Sequence, residues 1–310
     1  MPGALPDLTG LTARSPAARA ALRRTELHIS RRLDGLLQGE RRGRRPGPGS
    51  ESALTRAYAD GDDVRWVDWR LSARTDDIYV RVPEIEPVLT AWALVDASPS
   101  MAFGSTVRTK LDLSREIVIA LGLLMGRRND RLGLALTNGG GLPVIYPPRG
   151  DRRGLTRLIG QLDRGLGAAP PGRTDLVSAI QAIGNIARGR GLVAILSDFP
   201  DQPGLERAIG GLSRRHEVLA IEVRDRRERE LPAVGPLRLR DVETGRVVVV
   251  DTADPKFRER FATAAAEETT RRGAMLRRTG ARHIIVAPDG DWLTPLARAA
   301  SERRRPKVAA

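Results

Sequence analysis

From residue 88 onward the chain alternates short, continuously apolar runs with segments of helical period, and that rhythm restricts its fold more than any other feature. The runs are Ala91–Val95, Leu132–Thr137, Leu192–Leu196, Val218–Val223 and His283–Ala287. Helical patterns lie between them, at about 109–127, 152–163, 175–188, 203–214 and 255–279. A strand wet on one face alternates apolar and polar residues, whereas these runs are apolar at consecutive positions, as in parallel strands covered on both faces. The expected fold is therefore α/β, a doubly wound and mostly parallel sheet. Gly141–Pro147 reads as an extra edge strand, because a proline lacks the N–H that a central strand must donate. Asp225–Asp251 interrupts the rhythm, and Val247–Val250 within it predicts a β-hairpin insertion.

The chain ahead of this region is different. Residues 1–40 form an N-terminal helical segment, with Leu22, Ile29, Leu33 and Leu36 at helical spacing between Pro16 and Gln38. A helix docked on the main body explains that stripe better than one lying on a membrane surface. Arg41–Ser50 has the proline, glycine and charge of a linker. Residues 41–88 as a whole read as a small β elaboration packed on the core, with a strand through Ile78, Val80 and Val82 and a turn at Ala59–Asp63. The core domain then runs over 89–300, followed by a disordered tail, 301–310.

Composition excludes several classes. With no cysteine there are no disulfides and no thiolate metal sites. The longest strongly apolar run, Ile117–Met125, falls far short of the roughly 20 residues of a membrane-spanning helix. No secretory signal opens the chain, and the expected compartment is the cytoplasm. The net charge of +14 raises nucleic-acid or anionic-surface binding through Arg41–Arg45, Arg226–Arg229 and Arg303–Arg305. Lysine, however, occurs only at 110, 256 and 307, and arginine is spread along the chain without interleaved aromatics. A GC-rich genome produces that skew, so nucleic-acid binding stands as the alternative.

In open α/β sheets ligands bind beyond the carboxyl ends of the strands, and three polar clusters fall there. Asp96-Ala-Ser98-Pro-Ser100 follows the first run, Arg173-Thr174-Asp175 opens a helix, and Ser197-Asp198 closes the run Leu192–Leu196. Asp96, Ser98, Ser100, Thr174 and Asp198 are all hard oxygen donors, with no His or Cys, which favours Mg²⁺ or Mn²⁺ over zinc. A cation with so few charged ligands is open to one more carboxylate, which a partner protein can supply. The competing reading is helix capping, since Asp, Ser and Thr at strand–helix junctions are frequent N-caps. It suffices for Asp96-x-Ser98-x-Ser100 alone. It is strained by three clusters in order, each at a strand end.

This Asp-x-Ser-x-Ser, then Thr, then Asp pattern resembles the metal-ion-dependent adhesion site of von Willebrand factor A domains. The segment Asp60-Gly-Asp-Asp-Val-Arg-Trp-Val-Asp-Trp-Arg-Leu-Ser-Ala-Arg-Thr75 looks more narrowly like the signature of the bacterial domain-of-unknown-function 58 family, DUF58. Ser100-Met101 with Lys110 downstream, Pro147-Pro-Arg149, Leu196-Ser-Asp-Phe199 and Asp241-x-Glu-Thr-Gly245 fit the same family, over roughly residues 33–290. The resemblance implies an A-like fold in which Ser98, Ser100 and, in one conformation, Thr174 bind metal directly. Asp96 and Asp198 then act directly or through water. It also implies a partner, a MoxR-type AAA+ ATPase, and chaperone-like maturation of client proteins. Arg70, Arg74, Lys110 and Arg173 are the candidate partner contacts. Asp60–Thr75 is expected to form an ion-paired turn, with Trp66 and Trp69 packed against the core domain, in preference to a binding surface.

Enzyme readings fit less well. Gly104-Ser-Thr-Val-Arg-Thr-Lys110 lacks the second glycine and the hydroxyl after the lysine that a P-loop needs. Ser98 stands where an aspartyl phosphotransferase would carry a second Asp, and no Gly-x-Ser-x-Gly elbow occurs. His28, His216 and His283 are far apart in sequence. Metal-assisted hydrolysis at Asp96 and Asp198 is the enzymatic option that survives; a non-catalytic, metal-dependent adaptor is the expectation.

Overall fold

The computed structural model describes residues 25, 27–33, 53–75, 77–83, 88–106, 108–126, 129–137, 143–167, 174–240 and 245–301. Arg41–Arg45, the linker, Arg173, residues 241–244 of the Asp241–Gly245 motif and the tail after Ser301 lie outside them. The chain divides into two compact units, one of Leu37–Val88 and one of Met1–Leu36 with Leu89–Ala310.

In the smaller unit, β1 (Ala53–Ala57) pairs antiparallel with β2 (Tyr79–Pro83). The connection is a chain of local ion pairs: Arg56 to Asp62 at 2.6 Å, Arg65 to Asp63 at 2.7 Å and Arg81 to Asp68 at 2.9 Å. Asp68 also caps the helical turn Trp69–Ser72, accepting from the backbone N–H groups of Arg70 and Leu71. The ion-paired turn is as expected, but the tryptophans are not buried as a packed position would require. Trp66 is 52% and Trp69 68% exposed, because Asp63 and Asp68 fix both helical turns and leave the indoles on the outer side.

The larger unit holds one six-stranded sheet. Its strands are β3 (Thr90–Asp96), β4 (Arg131–Thr137), β5 (Val144–Arg149), β6 (Leu192–Ser197), β7 (Glu217–Val223) and β10 (Arg282–Val286), in the order β10-β7-β6-β3-β4-β5. All neighbours are parallel except β5, which runs antiparallel to β4 at the edge. The ladder between them shifts register between Leu132 and Leu134, opposite the two prolines of β5, and edge plus bulge is where a missing N–H costs least.

The helices are α1 (Lys110–Gly126), α2 (Arg152–Gly167), α3 (Leu176–Ile186), α4 (Leu205–Ser213), α5 (Pro255–Arg278) and α6 (Leu293–Ser301). The first five match the expected segments to within a few residues; α6 has no counterpart among them. Trp92, Leu94, Val193, Ile195 and Ala220 pack on Leu176, Ile180 and Ile183 of α3 and on Ile209 and Leu276 of α4 and α5. The opposite face is closed by α1, whose Leu113, Ile117, Leu121 and Met125 are buried. Both faces are therefore dry, which is why β3, β6 and β7 tolerate apolar residues at every position. The sheet is doubly wound and mostly parallel, the α/β architecture expected from the sequence.

Two additions attach to this body. Residues 27–33 are helical, with Ile29 and Leu33 buried and Arg32 paired to Asp291 at 2.9 Å. The hairpin of β8 (Pro236–Arg240) and β9 (Val247–Asp251) occupies the interruption, with Val249 67% exposed.

Close approach makes one glycine indispensable. A Cβ at Gly191, just before β6, would lie 2.1 Å from the Thr90 carbonyl oxygen, a backbone atom that cannot swing aside. Gly191→Ala is expected to cost about 1–3 kcal/mol, as overpacking does, read as a lower urea midpoint at unchanged slope. An unchanged midpoint would show that the contact between Gly191 and β3 yields more easily than its burial implies.

Candidate metal centre

The order β5-β4-β3-β6-β7-β10 reverses direction between β3 and β6, so these adjacent central strands carry the topological switch point at their carboxyl ends. Asp96 ends β3 and Ser197-Asp198 ends β6, with Val95 and Leu196 directly paired. The topology itself thus brings together two carboxylates that lie 102 residues apart in sequence.

Asp96 is completely buried, and three hydroxyl or amide donors surround it. Its Oδ1 accepts from the Ser98 backbone N–H at 2.9 Å and from Thr174 Oγ1 at 2.9 Å. Its Oδ2 accepts from Ser197 Oγ at 2.6 Å. Ser98 Oγ and Ser100 Oγ lie 2.9 Å apart, so the two hydroxyls share one side although Ser98 is extended and Ser100 lies within the short helix Pro99–Ala102. Burial and then the nearby charge of Asp198 push the Asp96 carboxyl up to about 6, against the lowering effect of its hydrogen bonds. Asp198 and Ser100 are the partly exposed members, through which the cluster reaches solvent.

The hydroxyls are not spent on capping. Ser98 stands at the N-cap of the short helix Pro99–Ala102, yet its side chain makes no capping bond. Asp175, not Thr174, caps α3 by accepting from the Ser178 N–H at 2.9 Å. Thr174 is free to face Asp96, and Gln202 holds its loop by donating to the Thr174 carbonyl while accepting from the Leu176 N–H.

Asp198 carries the centre's most informative geometry. Its Oδ2 accepts from Lys110 Nζ at 2.9 Å, while its Oδ1 is buried with no hydrogen-bond partner. Thr137 Oγ1, beside Asp96 in the β3–β4 register, is likewise buried and unpartnered. The next residue, Phe199, is buried with φ of 51°, a left-handed conformation uncommon for a bulky residue. It returns the Phe199 N–H to Ser197 Oγ at 2.9 Å, which fixes the hydroxyl that holds Asp96.

The residues present fit a hard divalent cation. Two carboxylates and three hydroxyls converge, and orphaned oxygens lie among them. Among the described residues no three His, Cys, Asp or Glu side chains converge as a metal cluster, so a cation held here would draw on the hydroxyls.

The candidate partner contacts are distributed differently. Lys110 is fully buried at the start of α1 and belongs to the centre itself. Arg70 is exposed, and Arg70 and Arg74 form no ion pair among the described residues; both lie in the smaller unit. Ser197, Gln202 and Glu228 are site residues that pattern reasoning does not assign a role. Ser197 adjoins a flagged Asp, whereas Glu228 carries no sequence signal, being 118 residues from the lysine it meets.

An open, doubly wound sheet with a cluster of hydroxyls and carboxylates at its switch point is the class of architecture that the fold and site define. The chain belongs to the family described as "Protein of unknown function DUF58", whose model matches residues 54–271. An uncharacterized protein of Mycobacterium tuberculosis is 39% identical over 298 residues, covering 95% of this chain and 92% of that one. Another, from Mycobacterium avium, is 40% identical over 162 residues, 52% of this chain and 93% of its own length. Among solved structures, an aerotolerance-related membrane protein from Bacteroides fragilis is 18% identical, covering 69% of this chain and 96% of that one, with a TM-score of 0.45. The SpRpn10 VWA domain is 14% identical, covering 68% and 94%, with a TM-score of 0.38. No described helix is long and apolar enough to cross a membrane.

Proposed function

We propose that this protein is a non-catalytic adaptor that grips an acidic side chain of a partner protein through Mg²⁺ or Mn²⁺ held at Asp96, Ser98, Ser100, Thr174 and Asp198. The observation that carries the reading is the Thr174–Asp96 contact: a loop hydroxyl that capping leaves unused is delivered to a buried carboxylate on another strand. Asp96, fixed by Ser98, Thr174 and Ser197, anchors the cluster from within, and Ser100 and Asp198 form its open rim. The bound cation supplies a Lewis-acidic point at that rim for an incoming carboxylate. The partner class is the one the family resemblance implies, a MoxR-type AAA+ ATPase or its client.

A pull-down from the native lysate, with Mg²⁺ or with chelator, tests this. The wild type with Mg²⁺ is expected to recover an AAA+ ATPase, and Asp198→Ala is expected to lose it while keeping the fold, since the Asp96–Asp198 repulsion disappears with the carboxylate. Equal recovery in all samples places the interface elsewhere. Nucleic acid recovered in its stead, with steep salt dependence and indifference to Asp198→Ala, returns the function to the arginine clusters.

A further inference from the structure

Of the 52 basic side chains in this chain only three are lysines, and one of those three is the buried cation of the metal centre. Lys110 has no exposed surface. Its ammonium is shared between Asp198 Oδ2 at 2.9 Å and Glu228 Oε1 at 2.5 Å. A compact ammonium on a flexible stem bridges two carboxylates as a point charge, where the planar arginine fork would demand a fixed pair of acceptors. Glu228 is in turn tied down: its Oε2 accepts from the Asp225 N–H at 2.9 Å. Asp225 then accepts from Ser105 N at 2.8 Å and Ser105 Oγ at 2.5 Å, closing a chain that begins at the root of the β8–β9 insertion.

We propose that Lys110 is an intramolecular counter-cation that competes with the divalent ion for Asp198, so that the chain alone holds metal weakly and firm occupancy requires the carboxylate a partner brings. The inference rests on the proposed metal reading and adds its regulation. Asp198 cannot give its full charge to two cations at once, and Lys110 lies close enough to repel a second one across a partly desolvated cluster. When metal enters, Lys110 yields Asp198 and leans on Glu228, the other anion it touches among the described residues. Metal occupancy is thereby linked to the turn at Asp225–Arg229, which starts the insertion.

The test is Mn²⁺ binding, titrated by calorimetry and by loss of the free-ion paramagnetic signal, in the wild type, Lys110→Met and Glu228→Gln. Methionine fills the buried stem without the charge, and glutamine keeps the oxygen that accepts from Asp225. Lys110→Met is expected to bind Mn²⁺ about tenfold more tightly, and Glu228→Gln about fivefold more weakly, within the usual range of site–site coupling. Amide exchange at Asp225–Arg229 is expected to slow on adding Mn²⁺ to the wild type and to stay unchanged in Glu228→Gln. If Lys110→Met does not fold, the weakened binding of Glu228→Gln with its unresponsive turn still supports the proposal. Wild-type binding with both variants unchanged overturns the role of Lys110 while leaving the metal site standing. Absence of Mn²⁺ binding in all three overturns the metal site and this inference with it.

Discussion

Asp96→Asn is expected to keep the fold and to lose stabilisation by Mg²⁺ or Mn²⁺ entirely. Asparagine retains an oxygen for the Ser98 N–H and the Thr174 hydroxyl, and Ser197 Oγ, which also takes the Phe199 N–H, sits where the new amide can reach it. What disappears is a charge that burial and Asp198 already disfavour, which holds the carboxyl near 6. The metal-free variant should therefore be at least as stable as the metal-free wild type. The loaded proteins should differ. At about 100 times its Kd a ligand adds about 2.7 kcal/mol to the native state, and each kcal/mol moves the Tm of a domain this size by about 2–4 °C. Thermal melts with and without metal read this directly. A variant that gains as many degrees as the wild type places the cation away from Asp96.

The other large effect lies away from the centre, on β7. Glu222 is completely buried and accepts from His283 at 2.7 Å, Arg272 at 2.6 Å and Arg224 at 2.7 Å, joining β7, β10 and α5. Removing it leaves two guanidinium groups and an imidazole facing one another in a site built around a negative charge. Glu222→Ala is expected to cost about 3–5 kcal/mol, the range for breaking a buried ion pair from one side, against a total stability of about 5–15 kcal/mol. Burial by itself raises the Glu222 pKa, but the hydrogen bonds from His283 and Arg272 and the neighbouring positive charges outweigh it and hold the group below its ordinary 4.5. A depressed folded pKa means stability that is present in full above 4.5 and is lost as pH falls from there through the folded value. Urea titrations from pH 7 down to pH 3 should show the wild type losing stability below pH 4.5, and Glu222→Gln should show a shallower loss there. Parallel curves for the two proteins would mean that other carboxylates control the acid limb.

Much of the architecture was legible because local and global demands agree. Leu192–Leu196 is apolar at every position, and only a strand with helices on both faces requires that. The prolines of β5 announced an edge before any neighbour was known. Helix α6 was harder to see, although Leu293 and Leu296 are buried in it and Trp292 is buried just ahead of it. Nine residues with a proline near the start give too short a period to distinguish from a capped loop. Trp66 and Trp69 misled in the other direction, because large aromatic residues are usually buried, whereas short polar caps at Asp63 and Asp68 turn them outward.

The candidate centre divides along the same line. Sequence alone placed Asp96, Ser98, Ser100, Thr174 and Asp198 at strand and helix ends, since the apolar runs mark where strands stop and the polar clusters follow at once. It could not say whether Thr174 and Ser98 cap helices or face Asp96, because both uses require the same residue types at the same spacing. Tertiary structure decided that: Asp175 takes the cap, and the β3–β6 neighbourhood carries Thr174 to Asp96. Only the folded chain reveals that Lys110, Asp198 and Glu228 share one charge cluster. The pairings span 88 and 118 residues, and no local pattern encodes a contact that exists only because the start of α1, the end of β6 and the turn after β7 meet at the carboxyl end of one sheet.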